Sequence, residues 1–121
     1  MIKLVRLDYR LLHGQVVFSW TGHVGAQRII VVDDDAANDE MKKSALLLSK
    51  PAGVRVNIFT VDKAIAKMPK VEQLDEKIMM IFGNTAALLK FCQAYPKIKE
   101  INYGAVANKP GSVAFDQSVF L

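Results

Sequence analysis

Cysteine and long apolar runs are scarce in this 121-residue sequence, and each scarcity excludes a class of protein. The single cysteine, Cys92, excludes an internal disulfide and a cysteine-rich zinc site. No apolar run is long enough to cross a bilayer. The first five residues lead directly into Arg6 and Asp8, without the pattern of a signal peptide. We therefore expect a soluble, cytoplasmic protein.

Acidic residues are also fewer than basic ones, 12 against 16, and the formal net charge is +4. Basic domains often bind polyanions. In this chain the lysines are dispersed and lack interleaved aromatic residues, which is typical of a solvated surface. We expect no nucleic-acid partner, whereas attraction to an acidic protein stays open. The dispersed lysines are Lys42, Lys43, Lys50, Lys63, Lys67, Lys70, Lys90, Lys97 and Lys99.

What the sequence does have is apolar residues, which make up 51% of the chain, together with an ordinary charged fraction of 23%. These values argue for a folded core and against disorder. There is no internal repeat, low-complexity tract or linker. The length suits one domain, so we expect residues 1–121 to form a single domain.

Short apolar runs alternate with amphipathic stretches along the chain. The runs predict strands at 2–7, 28–32, 54–59, 77–82, 98–103 and 112–121. The stretches predict helices at 15–23, 36–49, from Thr60 or Asp62 to Met68, and from Asn84 or Thr85 to about Tyr95. This alternation predicts an α/β fold: a three-layer, open, mostly parallel sheet with helices on both faces. Residues 104–111 are predicted to form a hairpin-like turn between the last two strands.

Ligands of such folds gather at the carboxyl ends of the strands, which directs attention to the loop after the first strand. Residues 6–16 read R-L-D-Y-R-L-L-H-G-Q-V and end at the predicted start of a helix. A helix N-terminus attracts anions through its backbone N–H groups and its dipole. Arg10 has a fork of donors suited to phosphate oxygens, and Gln15 offers a neutral donor. Gly14 leaves room for a group to approach the backbone.

His13 within this loop is a candidate nucleophile, because a neutral imidazole can attack phosphorus at pH 7. Arg10 and the helix N-terminus would hold the equatorial phosphate oxygens, with Arg6 as a further phosphate ligand. Asp8, or a backbone carbonyl, would accept the other ring N–H of His13 and fix its tautomer. A lone histidine beside a helix is more often structural, and it is the neighbouring residues that favour catalysis here.

The segment from Arg6 to Val16 closely resembles the signature of IIB components in the mannose/fructose/sorbose family of bacterial phosphoenolpyruvate-dependent sugar phosphotransferase systems. Trp20 follows at the family's usual place. The resemblance spans essentially the whole chain, and the first motif is the most specific. Further similar blocks are Arg28 to Asp34, Ala37, Asp39 and Glu40, Pro51 to Val54, Ile81 to Asn84, and Ile101 to Gly104.

This resemblance implies a phosphoryl carrier that takes its group from a phosphorylated IIA component and passes it to a sugar. The family's carrier histidine corresponds to His13, with Nδ1 as the carrier nitrogen, and its phosphate-binding arginine corresponds to Arg10. The sugar enters through the membrane components IIC and IID, so a cytoplasmic protein peripherally associated with the transporter is implied. No metal or organic cofactor is implied. The identity of the sugar and the oligomeric state, a homo-oligomer included, stay open.

The sequence departs from the family's pattern at two points. Tyr9 stands where many members have an acidic or small residue, which removes a carboxylate from that position. Typical members also continue through another strand and helix, so the domain is expected to be short at its C-terminus, where this chain reads Phe120-Leu121. The phosphoryl loop itself matches the family throughout.

Three other functions compete with the carrier. A receiver-like signalling module, phosphorylated on aspartate, would draw on Asp8 and the acidic run 33–35, although Asp34 or Asp35 is better explained as a helix cap. A histidine phosphatase or mutase would need a second catalytic histidine and an arginine at the position of Leu12. His23 is the only other histidine. An inactive carrier that serves in regulation or assembly also remains open.

Overall fold

The computed structural model of the chain describes residues 1–12, 15–98 and 100–103. These residues form strands that alternate with helices. The strands are β1 (Ile2–Leu7), β2 (Arg28–Val32), β3 (Arg55–Phe59), β4 (Ile78–Phe82) and β5 (Asn102–Tyr103). The helices are α1 (Gln15–Val24), α2 (Asp34–Ala37), α3 (Glu40–Leu48), α4 (Val61–Val71) and α5 (Thr85–Ala94).

The strands form one sheet in the order β3-β2-β4-β1-β5, and every neighbouring pair is parallel. Strand β4 lies at the centre, and all its residues are buried. Burial on both faces explains why residues 78–82 read as a continuous apolar run without alternation. The parallel α/β sheet predicted from the sequence is confirmed. No helix among the described residues is long and apolar enough to cross a membrane.

A separate apolar core lies on each face of the sheet. On one face, α4 and α5 pack through residues such as Met68 and Phe91 onto Met80 at the centre of the sheet. On the other, Leu46 of α3 and the partly buried Trp20 of α1 pack around Met79 and its neighbours. Successive side chains of a strand point to opposite faces, so Met79 and Met80 serve different cores. Helices therefore cover both faces, as predicted.

The helix predicted over residues 36–49 is divided in two. Asp33 caps α2 by accepting the backbone N–H of Ala36, and Asp39 caps α3 in the same way from Met41 and Lys42. The prediction that Asp34 or Asp35 caps the first of these helices is therefore wrong, because the cap lies one residue earlier. Asp34 instead accepts the backbone N–H of Val61 at 2.8 Å, which ties α2 to the start of α4.

The other helix starts agree with one of the two candidates given for each. Thr60 caps α4 and Asn84 caps α5. Strand β5 pairs with β1 over two residues only, so the predicted strand at 98–103 is longer than the observed pairing. The predicted turn at 104–111 and strand at 112–121 lie outside the described residues.

Gly83 allows a close approach at the carboxyl edge of the sheet. A Cβ at this position would lie 1.9 Å from Oδ2 of Asp33 and 3.2 Å from Cδ2 of Leu11. Asp33 cannot move away without weakening the hydrogen bond that it accepts from the N–H of Ala36. The Asp33 carboxylate therefore keeps the space beside Gly83 occupied. The requirement for glycine is therefore steric.

We predict that Gly83→Ala lowers the free energy of unfolding by about 1–3 kcal/mol, because the added methyl group overlaps the Asp33 carboxylate. Urea denaturation followed by circular dichroism would measure the change. Gly22→Ala is the matched control, because a Cβ there meets nothing within 4 Å and the residue lies within α1. Its stability should rise by up to about 1 kcal/mol. Equal stability of the Gly83 variant and the wild type would contradict the steric argument.

Candidate functional site

The candidate site lies at the carboxyl edge of the sheet, where the chain leaves β1. The backbone N–H of Asp8 donates to the carbonyl of Phe82 at 2.9 Å, which extends the contact of β1 with β4 by one residue. At the same edge, Gly83 donates its N–H to the carbonyl of Val32 at 3.3 Å. The loop after β1 therefore begins from a fixed point beside the central strand, as expected for a site in a parallel sheet.

Asp8 is the centre of an ion-pair cluster at this edge. Its side chain is fully buried, and two arginines surround it. Oδ1 accepts the backbone N–H and the Nε–H of Arg10, both at 3.0 Å, while Oδ2 accepts from Nη2 of Arg10 at 2.9 Å. Arg6 donates to Oδ2 from Nη2 at 3.3 Å and from Nε at 3.4 Å. Arg10 thus bonds to both carboxylate oxygens of Asp8, whereas Arg6 bonds to Oδ2 alone.

The pKa of Asp8 reflects two opposing effects. Burial alone would raise its pKa, because a carboxylate loses water inside the protein. The hydrogen bonds from the side chain and backbone of Arg10, and the charges of Arg10 and Arg6, outweigh that effect and hold the pKa below its ordinary value. Asp8 is therefore a carboxylate at neutral pH.

Arg10 is fixed in place but still accessible. Its side chain keeps 36% of its exposure while Nε and Nη2 are bonded to Asp8. The hydrogen bond to Asp8 and the charge of Asp8 raise the pKa of Arg10, so the guanidinium is always charged. Among the described residues it has no other ion-pair partner. The donors of Nη1 and the second N–H of Nη2 are thus available to an anion.

Arg6 has a different environment from Arg10. Its side chain is 5% exposed, and besides Asp8 it donates from Nη1 to Oδ1 of Asn102. Arg6 and Asn102 also face each other in the β1–β5 pairing, so the contact joins the end of β1 to the edge strand. This geometry favours a supporting task for Arg6, and its predicted contact with phosphate stays a prediction.

Asn102 is a site residue that the sequence did not identify. It lies 96 residues from Arg6 along the chain, and only the pairing of β5 with β1 brings the two together. The sequence offered one signal for Asn102. It lies within the block Ile101 to Gly104, which resembles the family, near the end of a predicted strand whose carboxyl end lies at the same edge of the sheet as the arginine cluster. Side chains at strand ends of one edge are the natural place to search for such partners.

The short segment that follows Arg10 is anchored by apolar burial. Leu11 adopts a φ of +55°, in the left-handed region that non-glycine residues rarely adopt. Its N–H donates to the carbonyl of Asp8 at 3.1 Å, and the side chains of Leu11 and Leu12 are buried in the core beneath. Backbone in this region costs free energy and persists where the surroundings enforce it. Burial of the two leucines provides that enforcement.

The remaining predicted site residues follow this anchored segment. His13 and Gly14 lie outside the described residues. Gln15 is the first residue of α1. The first N–H groups of a helix have no partner within the helix, so the start of α1 meets the requirement stated for an anion site. The structure thus brings together Arg6, Asp8 and Arg10, and leaves the predicted contacts of the others untested.

The acidic run 33–35 does not form a pocket. Asp33 caps α2, Asp34 binds the N–H of Val61, and the exposed Asp35 pairs with Lys42. These carboxylates therefore have three separate tasks. In the described part of the chain, no group of three or more His, Cys, Asp or Glu residues could hold a metal ion. The receiver-like alternative finds no support in this geometry.

His23 is separated in the sequence from Arg6, Asp8 and Arg10. It occupies the last turn of α1, where its ring meets the ring of Trp20 edge to face, with centroids 5.5 Å apart. This packing against Trp20 gives His23 a structural role.

An open parallel sheet covered by helices, with an arginine–carboxylate cluster before the first helix, is typical of the class of α/β domains that place their sites at the carboxyl edge of the sheet. Comparison with known families identifies the member of that class. The model of the "PTS system sorbose subfamily IIB component" matches residues 2–121. The chain therefore belongs to the sorbose subfamily of phosphotransferase-system IIB components, as the sequence motif had indicated.

Individual relatives agree with this assignment. The sorbose-specific EIIB component of Klebsiella pneumoniae is 35% identical over 99% of this chain and 73% of its own length. The mannose-specific EIIAB component of Escherichia coli K12 is 33% identical over 98% of this chain, which spans 37% of that longer protein. The crystal structure of the IIBSor domain of the Klebsiella pneumoniae sorbose permease superposes with a TM-score of 0.82, at 36% identity, covering 92% of this chain and 68% of that one.

We predict that Asp8→Asn destabilises the protein by about 3–5 kcal/mol at neutral pH, because Arg6 then stays buried without a counter-ion. Urea denaturation would measure the change. The exposed Asp75, which forms no ion pair with any described residue, provides the control Asp75→Asn, with an expected change within about 0.5 kcal/mol. Equal stabilities of the two variants would contradict the argument.

The same variant should alter the pH dependence of stability. The pKa of Asp8 is lowered from 3.8, so the unfolded chain binds more protons than the folded protein between the two values. The stabilisation is therefore complete above about pH 5 and is lost as the pH falls through the lowered pKa. Denaturation midpoints measured from about pH 5 to pH 2.5 should fall less steeply for Asp8→Asn than for the wild type. Parallel curves would contradict the prediction.

Proposed function

We propose that the chain is a phosphoryl carrier that accepts a phosphoryl group on His13 from a IIA component. It then donates the group to a sugar that enters through the IIC and IID membrane components. The carrier works in the cytoplasm, peripherally associated with the transporter. The single observation that carries this proposal is the fixed and accessible guanidinium of Arg10. This residue stands three residues before His13 in the sequence, and Asp8 holds its side chain.

The first argument is proximity along the chain. His13 follows Leu12, which is completely buried, and precedes Gly14 and the first residue of α1. The histidine is thus joined on one side to an anchored segment and on the other to a helix N-terminus. A phosphoryl group on its imidazole would therefore be close to the two kinds of group that best stabilise phosphate, arginine and unpaired backbone N–H groups.

The second argument is the chemistry of the transfer. The neutral Nδ1 of His13 attacks phosphorus in line, its bond to phosphorus forms, and the bond to the histidine nitrogen of IIA breaks. In the next step a sugar hydroxyl oxygen attacks, the bond from Nδ1 to phosphorus breaks, and the hydroxyl proton passes to the imidazole that is released. Each transition state spreads negative charge over the equatorial oxygens, where donors of Arg10 would stabilise it.

The third argument assigns the supporting residues. Arg6 and Asp8 position Arg10 through a chain of contacts. Arg6 donates a hydrogen bond to Asn102, and Arg6 and Arg10 both form ion pairs with the buried Asp8. The oxygens of Asp8 already accept hydrogen bonds from both arginines. We therefore propose that Asp8 serves to orient Arg10. The predicted contact of Asp8 with the ring N–H of His13 stays a prediction, as do phosphate contacts of Gly14 and Gln15.

We predict that the purified protein gains one phosphoryl group when it is incubated with phosphoenolpyruvate, the general phosphotransferase proteins and a mannose-type IIA. Intact mass spectrometry would detect the group, and acid treatment should remove it. His13→Ala should gain none, whereas His23→Ala, the matched control, should be phosphorylated normally. A label stable to acid and removed by hydroxylamine would indicate an acyl phosphate on aspartate, and would refute the carrier.

We also predict that Arg10→Lys slows phosphorylation of the protein by about 100-fold, because a lysine cannot make the two-point contact with Asp8 or present the remaining fork to phosphate. The time course of the mass change under a fixed concentration of phosphorylated IIA would give the rate. Arg55→Lys is the control, because Arg55 is exposed at the far edge of the sheet. Equal slowing in both variants would argue against a specific role for Arg10.

A further inference from the structure

Among the residues that the structure describes, the outer edge of β3 is an open sheet edge. In the described part of the chain, β3 is the outermost strand and pairs with β2 alone. Arg55 donates its backbone N–H to the carbonyl of Gln27 at 3.1 Å, on the β2 side. Because alternate residues of a parallel strand turn their N–H and C=O groups to opposite edges, Val56 and Ile58 present theirs outward. An extended chain could bond to those groups.

A row of lysines borders this edge. Lys63, Lys67 and Lys70 follow one another at helical spacing on α4 and line a groove of about 370 Å³ between α4 and β3. None of the three forms an ion pair with any residue that the structure describes. The Nζ atom of Lys63 lies 5.3 Å from the centre of the Phe59 ring. The groove therefore has an uncompensated positive border.

The floor of the groove combines apolar and neutralised polar groups. Arg28 also lines it, but its charge is paired with Glu76 at 2.7 Å, and its Nη1 donates to Asn57 at 2.5 Å. The lysines therefore dominate the charge of the groove. The apolar lining residues are Ile30, Phe59, Val71 and Leu74.

We propose that this groove binds an acidic, extended segment of a partner protein, which adds a strand to the outer edge of β3. The backbone of the segment would bond to Val56 and Ile58, and its carboxylates would lie against Lys63, Lys67 and Lys70. The formal net charge of +4 on the chain would speed the encounter. This interaction is independent of the phosphoryl transfer proposed above.

Lysines also occur on exposed sheet edges as a protection against aggregation. Such residues belong to the edge strand itself, where they hinder pairing. Here the exposed cation within β3 is Arg55, at its first residue, and the lysines stand on the neighbouring helix. They leave the backbone of the strand accessible and add charge beside it, which favours recruitment of an acidic chain.

The test uses an acetylated, amidated heptapeptide that alternates glutamate and valine as the probe. It is titrated into the isotope-labelled full chain, and backbone amide signals are followed by nuclear magnetic resonance. We expect the largest shifts at Val56 and Ile58. The triple variant Lys63→Gln, Lys67→Gln, Lys70→Gln should bind the peptide on the order of tenfold more weakly.

The control variant Lys42→Gln, Lys43→Gln, Lys50→Gln loses the same formal charge, but from α3 and the loop after it, outside the groove. Its affinity for the peptide should stay close to that of the wild type. A second peptide, with proline in place of each valine, keeps the glutamates but loses the backbone N–H of every second residue, and its rings hinder pairing in a sheet. This peptide should bind the wild-type chain at least tenfold more weakly than the first peptide does. That loss of affinity is on the order of the one expected for the triple lysine variant.

Three outcomes would overturn the proposal. The first is no shift at β3 at millimolar peptide, which is the weak limit for a specific contact. The second is equal binding of the proline peptide, which would indicate a general attraction of charges without strand pairing. The third is tighter binding of an oligothymidylate through the same lysines, which would reassign the groove to nucleic acid. Each outcome leaves the test of His13 phosphorylation unaffected.

Discussion

The candidate site depends on one buried carboxylate held between two arginines. Asp8 leaves β1 at a position that the backbone bond to Phe82 fixes, and its side chain has no access to water. A carboxylate in such a place is costly unless it is paired and fully bonded. Arg6 and Arg10 meet that requirement, and in doing so they lose most of their own freedom. The arrangement of Asp8 and the two arginines therefore follows from the cost of burying one charge.

This pairing also sets the charge that an incoming phosphate would meet. Arg6 and Arg10 contribute two positive charges and Asp8 one negative charge, so the cluster as a whole carries +1. A carrier has to release the group that it accepts, and a site with two uncompensated guanidinium groups would hold phosphate more strongly. At the same time Arg10 is already oriented, so little rotamer entropy remains to be lost on binding. In the proposed carrier, the cluster would therefore suit brief, repeated occupancy by phosphate.

The features predicted well from the sequence are those in which the burial of neighbouring residues produces a local pattern. Strand β4 was identified because its residues face apolar cores on both sides of the sheet, and the loop before His13 because its motif is contiguous. The missed features have two different causes. The break before α3 has a local signal, the capping carboxylate of Asp39, which the helical spacing of residues 36–49 concealed. Asn102 was missed because a contact with Arg6 across 96 residues leaves no periodic signal.

The strand order determines how far apart the two surfaces of interest lie. Strand β1, which leads to the arginine cluster, is separated from the outer strand β3 by β4 and β2. Three strand spacings amount to about 14 Å. A single compact partner can span that distance, and two slender ones can sit side by side without overlap. The proposed phosphoryl transfer at the loop and the proposed docking at the sheet edge are thus separable tasks, and such a protein would be able to stay bound to one molecule while it exchanges its phosphoryl group with another.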